Sequence, residues 1–168
     1  MKEIILAKYG EIILKGGNRP KFERMLIDNI KNALKNVADF KISIRQATVY
    51  VEEFDEDKTD IIVERMSKIF GLVSVTRAAV SEKTVEAIEE TAFNYLGKDL
   101  EKPARFKVEA KRSDKTFPLN SLQLCIELGG WLDDKFPNII CDVHNPEITV
   151  KVEVRDVAAY VYIDEKKV

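Results

Sequence analysis

Between positions 105 and 115 the stretch Arg-Phe-Lys-Val-Glu-Ala-Lys-Arg-Ser-Asp-Lys sets five basic side chains against two acidic ones. Its first half alternates. Phe106, Val108 and Ala110 read as inward, whereas Arg105, Lys107, Glu109 and Lys111 read as outward, the pattern of a half-buried strand. Such a strand would run its cations into a loop holding Arg112, Lys115 and Phe117. Together these groups suit phosphates and, through Phe117, an unpaired base. The same residues also fit a plainer role, a charged strand edge kept from aggregating, with Phe117 in the core.

A second cationic stretch is Glu11-Ile-Ile-Leu-Lys-Gly-Gly-Asn-Arg-Pro-Lys-Phe-Glu-Arg24. A glycine-bearing loop here lets backbone approach a ligand, and the helix start that follows offers free N–H groups to an anion. Lys15, Arg19, Lys21 and Arg24 add positive charge around that start. A solvated loop before an ordinary amphipathic helix explains the residues equally well. The glycine spacing fits neither a Walker A loop nor a dinucleotide fingerprint, so ATP binding has no support here. Cys141, Asp142 and His144 lie close in sequence, but a lone histidine and two unmatched cysteines lack zinc spacing, and His144-Asn-Pro146 reads as a turn.

These groups need a frame. Residues 3–9 read as a buried strand, and 19–36 as a helix with Phe22, Leu26, Ile30, Ala33 and Val37 in one stripe and Pro20 in its first turn. Strands over 40–45 and 48–53 follow. Asp57 or Thr59 is placed to cap a helix carrying Ile62, Met66, Ile69 and Phe70 inward, ended by Gly71, and 72–80 is a further strand. The order β-α-β-β-α-β is that of a ferredoxin-like unit. Residues 84–96 form a helix by period, with Val85, Ile88, Ala92 and Tyr95 facing one way. After strand 105–111 comes a helix over about 120–135 whose pair Gly129-Gly130 suggests close backbone packing. Trp131 is read as packing. Residues 148–155 and 157–164 close the chain as two paired strands. The fold class is α+β, with a ferredoxin-like domain over 1–75 and an α/β domain over 76–168.

With 168 residues, 45% of them hydrophobic, the chain can bury one ordinary core or two small ones. The formal net charge of −2 and the pI near 5.6 rule out a globally basic nucleic-acid binder; any RNA site is a local patch. No apolar stretch approaches the roughly 18 residues a membrane span needs, and residues 1–10 do not read as a secretory signal. A cytoplasmic location with both cysteines reduced and no membrane partner is the expectation.

The stretch from Tyr9 to Glu23 resembles the N-terminal ferredoxin-like segment of tRNA 4-thiouridine synthetases. Lys107 to Pro118, with Asp142-Val-His-Asn-Pro-Glu147 and the closing strands, resembles the THUMP domain of the same enzymes, so the likeness spans essentially the whole chain. It implies tRNA binding as part of an ATP-dependent sulfurtransferase: the THUMP part grips the 3′ CCA end and acceptor stem, and the ferredoxin-like part orients the stem. Lys111, Arg112, Lys115 and Phe117 become the leading tRNA contacts, with Lys107 and Arg105 on the same strand, and Lys15, Asn18, Arg19 and Lys21 support them. In the family, adenylation of uridine and insertion of persulfide sulfur from a cysteine desulfurase belong to a further domain. Its pyrophosphatase-type loop is not found here, so no cofactor is expected on this chain and ATP would bind that domain. A homodimer, a cysteine desulfurase acting with the full-length enzyme, and for some members a part in thiamine synthesis are further implications. A THUMP module of another RNA-modifying enzyme such as a methyltransferase, or a non-RNA interaction domain, are the alternatives.

Overall fold

A computed structural model describes residues 2–10 and 17–163, together with the backbone of 166 and 167. Two compact units divide at Arg77 and Ala78, the first holding 3–77 with 166–167 and the second holding 78–163 with Lys2.

In the N-terminal unit, β1 (Glu3–Tyr9), α1 (Arg19–Leu34), β2 (Lys41–Arg45), β3 (Thr48–Glu52), α2 (Thr59–Met66) and β4 (Leu72–Ser81, whose residues from Ala78 on belong to the C-terminal unit) follow the expected βαββαβ order. The strands run β2-β3-β1-β4 across the sheet. β1 pairs antiparallel with β3, placing Ile5 opposite Val51 and Ala7 opposite Val49. A two-residue turn joins β2 to β3 through Gln46 and Ala47, both at positive φ, the backbone that matches the twist of paired strands. Ile5, Ala7, Val49, Val51 and Val75 pack under Leu26, Ile30 and Leu34 of α1 and Ile62 and Met66 of α2. The helical stripe therefore works as read, but α1 stops at Leu34, and Asn36 turns the chain at φ 68°.

Three local expectations fail here. Neither Asp57 nor Thr59 caps α2: a short 3-10 turn (Glu56–Lys58) precedes it, Lys58 sits at the cap, and the Thr59 hydroxyl donates to the Glu56 carbonyl and to Glu3. Phe70 lies past the end of α2 at Met66 and is 81% exposed, while Ile69, also past that end, still packs into the core. Gly71 does not end the helix. It holds φ 99°, and a Cβ there would sit 2.7 Å from the Phe22 ring, so glycine is required twice over.

The C-terminal unit contains α3 (Val85–Leu100), β5 (Ala104–Arg112), α4 (Ser121–Lys135), β6 (Ile139–Cys141), β7 (Ile148–Val154) and β8 (Ala159–Tyr162). Its strands run β8-β7-β5-β6, with the end of β4 paired antiparallel to β8. β5 runs parallel to both β6 and β7. The three-residue β6 has no signature in the sequence, since it is too short to show a period. Thr84 caps α3 by accepting from the Ala87 N–H, and Asn120 with Gln123 forms a reciprocal capping box on α4. The core lies between the two helices and one sheet face: Ile88, Ala92, Leu96, Leu124, Leu128 and Leu132 against Phe106, Val150, Val152 and Val161. Each such fully buried aliphatic side chain contributes about 1.5–3 kcal/mol.

The glycine pair on α4 does not mark a forced close approach. A Cβ on Gly129 would meet Val108 at an ordinary 3.8 Å, and one on Gly130 would meet nothing. The final strand pair, β9 (Lys166–Lys167) with β4, sets Ser74 opposite Lys167.

Candidate nucleic-acid interface

β5 displays the alternation anticipated for it. Phe106 is fully buried and Val108 and Ala110 pack on the core, while Arg105, Glu109 and Lys111 are exposed and Lys107 is half-buried. Lys107 Nζ lies 2.7 Å from Glu109 Oε1, and the parallel register places Lys151 of β7 beside Glu109. The hydrogen bond from Lys107, with the charges of Lys151 and Lys111, holds the Glu109 carboxyl below its ordinary range. The outward face of β5 is thus a row of cations around an ionised carboxylate.

The loop after β5 is fixed from several sides. Ser113 donates its N–H to the Val154 carbonyl at 2.9 Å. Lys83, in the bend after β4, donates to Asp114 Oδ2 at 2.5 Å and to the Asp156 carbonyl at 2.6 Å. The other Asp114 oxygen accepts from the Thr116 N–H and hydroxyl. The Lys83 ammonium, followed by the two Thr116 donors, holds the Asp114 carboxyl far below the usual carboxylate range. Arg112 donates to the carbonyls of Lys115 (3.4 Å) and Phe117 (3.2 Å). Arg112 is therefore a brace within the loop. Lys115 is exposed, and its side chain has no hydrogen bond or ion pair among the described residues.

Phe117 requires a correction. It is 4% exposed and belongs to the C-terminal core, so its ring offers no face to a base. The sequence admitted both roles, and the fixed loop turns the ring inward while leaving Lys115 outside.

Arg105 is partly engaged. Its guanidinium lies 4.0 Å from Asp142, its N–H donates to the Glu147 side chain, and its carbonyl accepts from the Glu147 N–H. Asp142 also accepts from the N–H groups of His144 and Asn145, which hold its carboxyl below the ordinary range. The segment from Asp142 to Glu147 is therefore a turn that seats the start of β5, consistent with reading His144 as a turn residue. Cys141 is exposed and Cys125 half-buried, its thiol pushed up by burial. Among the described residues no His, Cys, Asp and Glu group can hold a metal ion.

The N-terminal unit carries the second cation set. Asn18 sits at the start of α1 with φ −102° and ψ 16°, and its side chain caps nothing. No acidic residue occupies the first turn, while Asn18, Arg19, Lys21 and Arg24 are exposed. Arg19 pairs loosely with Glu23 at 3.5 Å, and Tyr9 donates its hydroxyl to the other Glu23 oxygen at 2.6 Å. Burial, then the bond to Glu23, pushes Tyr9 up to about 12. Basic side chains at a helix start oppose the peptide dipole, and among the described residues no acidic side chain in the first turn offsets them. Lys15 lies outside the described residues.

Sequence reasoning missed Lys83 and Asp114 as partners. They are 31 residues apart, and neither position carries a local signal of the pairing.

No helix is long and apolar enough to cross a membrane among the described residues. Residues 4–76 match the ThiI ferredoxin-like domain and residues 82–164 the THUMP domain. A probable tRNA sulfurtransferase of Acetivibrio thermocellus is 40% identical over 166 residues, covering 96% of this chain and 42% of the relative. A crystal structure of a Pyrococcus horikoshii protein superposes with a TM-score of 0.85 at 29% identity, covering 98% of this chain and 55% of that one. A 4-thiouridine synthetase solved with RNA and ATP gives a TM-score of 0.85 at 25% identity, covering 99% of this chain and 42% of that one. The chain thus spans less than half the length of such a curated relative. A ThiI ferredoxin-like domain followed by a THUMP domain accounts for nearly all of this chain, which is similar over almost its whole length to part of the curated tRNA sulfurtransferases.

Proposed function

We propose that this chain binds tRNA, gripping the acceptor stem and 3′ CCA end on behalf of an ATP-dependent sulfurtransferase that makes 4-thiouridine. The observation that carries this reading is the braced loop of the THUMP unit. Lys111 and Lys115 stand exposed on a backbone held by Lys83, Asp114 and Arg112, in a chain that superposes on one solved with RNA. Cations on a rigid frame meet phosphates at a small entropic cost, and phosphate contacts set register while base contacts specify. The exposed start of α1 supports a second phosphate contact through Asn18, Arg19 and Lys21.

Adenylation and sulfur transfer belong in this reading to a further domain that binds ATP and receives sulfur from a cysteine desulfurase, in the cytoplasm. A second copy of the chain in a homodimer, or that further domain, supplies affinity this acidic chain lacks. Titrating the chain with intact tRNA and with tRNA lacking its CCA, at two salt concentrations, tests the reading. Salt-dependent binding that weakens on CCA removal supports acceptor-end gripping. Equal binding of the two RNAs would remove the CCA from the account, and absence of binding to either would remove tRNA.

A further inference from the structure

α3 and α4 pack their apolar sides on the sheet, and the seam between their outer surfaces holds a different chemistry from the basic face. Phe93 and Trp131 meet edge to face with centroids 6.0 Å apart, and Phe93 also packs on Phe136 at 5.3 Å. These rings open into a cavity of about 210 Å³ lined by Glu90, Phe93, Trp131 and Lys135. Phe93 remains 42% exposed. One helical turn before the two rings stand Glu89 and Glu127, with Glu86 a further turn back on α3.

Glu89 is only 9% exposed, and its Oε2 has no hydrogen-bond partner among the described residues. Buried polar atoms are normally hydrogen-bonded, so this oxygen is open to a donor from outside the chain. Burial, then the charges of Glu127 and Glu86, pushes the Glu89 carboxyl up, and Lys135 offsets this in part. Lys135 Nζ already lies 5.6 Å from the centre of the Trp131 ring. An ammonium group is therefore accommodated at this aromatic face, as its electron-rich surface favours.

Three features decide the class of occupant. The carboxylates repel phosphate, which excludes a nucleic-acid strand. The volume is below the roughly 300 Å³ at which small-molecule sites begin, and it suits a single side chain. The aromatic walls together with the carboxylates favour a cation carried on an apolar stem, the make-up of lysine and arginine.

We propose that the seam between α3 and α4 is a docking site for a protein partner presenting a lysine or arginine beside an apolar side chain. The cation reaches Glu89, Glu90 and Glu127, and the apolar neighbour covers Phe93 and Trp131. β5 turns Phe106, Val108 and Ala110 toward these helices, so Arg105, Lys107 and Lys111 occupy the opposite sheet face. Partner and tRNA would use different faces of the THUMP unit.

Trp131 is the sole tryptophan, so its emission reports on the seam. The probe is a random peptide library selected on the intact chain, followed by titration of synthetic copies of the enriched peptides. The expected enriched peptides carry Lys or Arg next to Leu, Met or an aromatic residue and shift Trp131 emission saturably. Their affinity is expected to fall at least about tenfold in a Glu90→Gln, Glu127→Gln variant, as loss of desolvated charge pairs does. Both glutamates are exposed, and an unchanged thermal melt shows that the fold is kept. No enrichment, enrichment of acidic or charge-free peptides, an unresponsive Trp131, or undiminished affinity in the variant would each overturn the proposal.

Discussion

The loop from Ser113 to Phe117 and the start of α1 both present cations, but they present them in opposite ways. In the loop, each fixed charge is used internally: Lys83 on Asp114, Asp114 on Thr116, and Arg112 on two carbonyls. Lys111 and Lys115 are left over on a backbone that cannot rearrange cheaply. Among the described residues no side chain caps the start of α1, and none pairs with Lys21 or Arg24 on their long stems. In the proposed function the first arrangement orders a phosphate site in advance, and the second offers only attraction. Affinity and register should therefore reside mainly in the THUMP unit.

The largest expected effect comes from removing the α1 region's own support. Gly71→Ala forces a Cβ into the Phe22 ring and onto a left-handed backbone, and a loss of about 2–3 kcal/mol is expected in urea unfolding of the N-terminal unit. tRNA affinity should fall less than the stability does, because the braced loop is untouched. Asp114→Asn comes next and separates two accounts by sign. It removes a negative charge beside the proposed tRNA face, so simple attraction predicts tighter binding. If the brace matters, binding weakens about 3–10-fold, as loss of a preorganising ion pair allows; direct titration at fixed salt decides.

A third test concerns Tyr9, whose hydroxyl bonds Glu23 under α1. Tyr9→Phe should cost about 1 kcal/mol near neutral pH, the net worth of one such hydrogen bond. Tyr9 titrates near 12 when folded against an ordinary 10, so the folded state favours the protonated hydroxyl. Its contribution is complete below pH 10 and is lost as pH rises from there through about 12. Stability of wild type and variant, followed by denaturant unfolding across that range, should converge and then cross, because burial also opposes the tyrosinate, which Phe cannot form. The smallest effect is expected for Lys21→Ala with Arg24→Ala, a drop of about 2–4-fold in tRNA affinity, since exposed unbraced charges contribute little each.

Much of the frame was legible in the sequence because periodicity reports burial. Leu26 and Ile30 in α1, and Phe106, Val108 and Ala110 in β5, fall where their spacing places them. Local chemistry was less legible where two residues compete for one job: Lys58, rather than Asp57 or Thr59, stands at the α2 cap because the 3-10 turn shifts the helix start. Phe70 belongs to the apolar stripe only if α2 continues, and it does not. The candidate site was legible as a cluster of charge but not as a mechanism. Nothing near Lys83 in sequence points to Asp114, and the inward turn of Phe117 depends on bonds that form only when β4, β5 and β7 come together.

The most direct test is the salt dependence of tRNA binding by wild type and a Lys111→Ala, Lys115→Ala variant. Removing one phosphate interaction lowers the slope of log affinity against log salt by about 0.7–0.9, so the account predicts a slope shallower by about 1.4–1.8 with binding weakened throughout. A variant that binds tRNA with unchanged affinity and slope would contradict it.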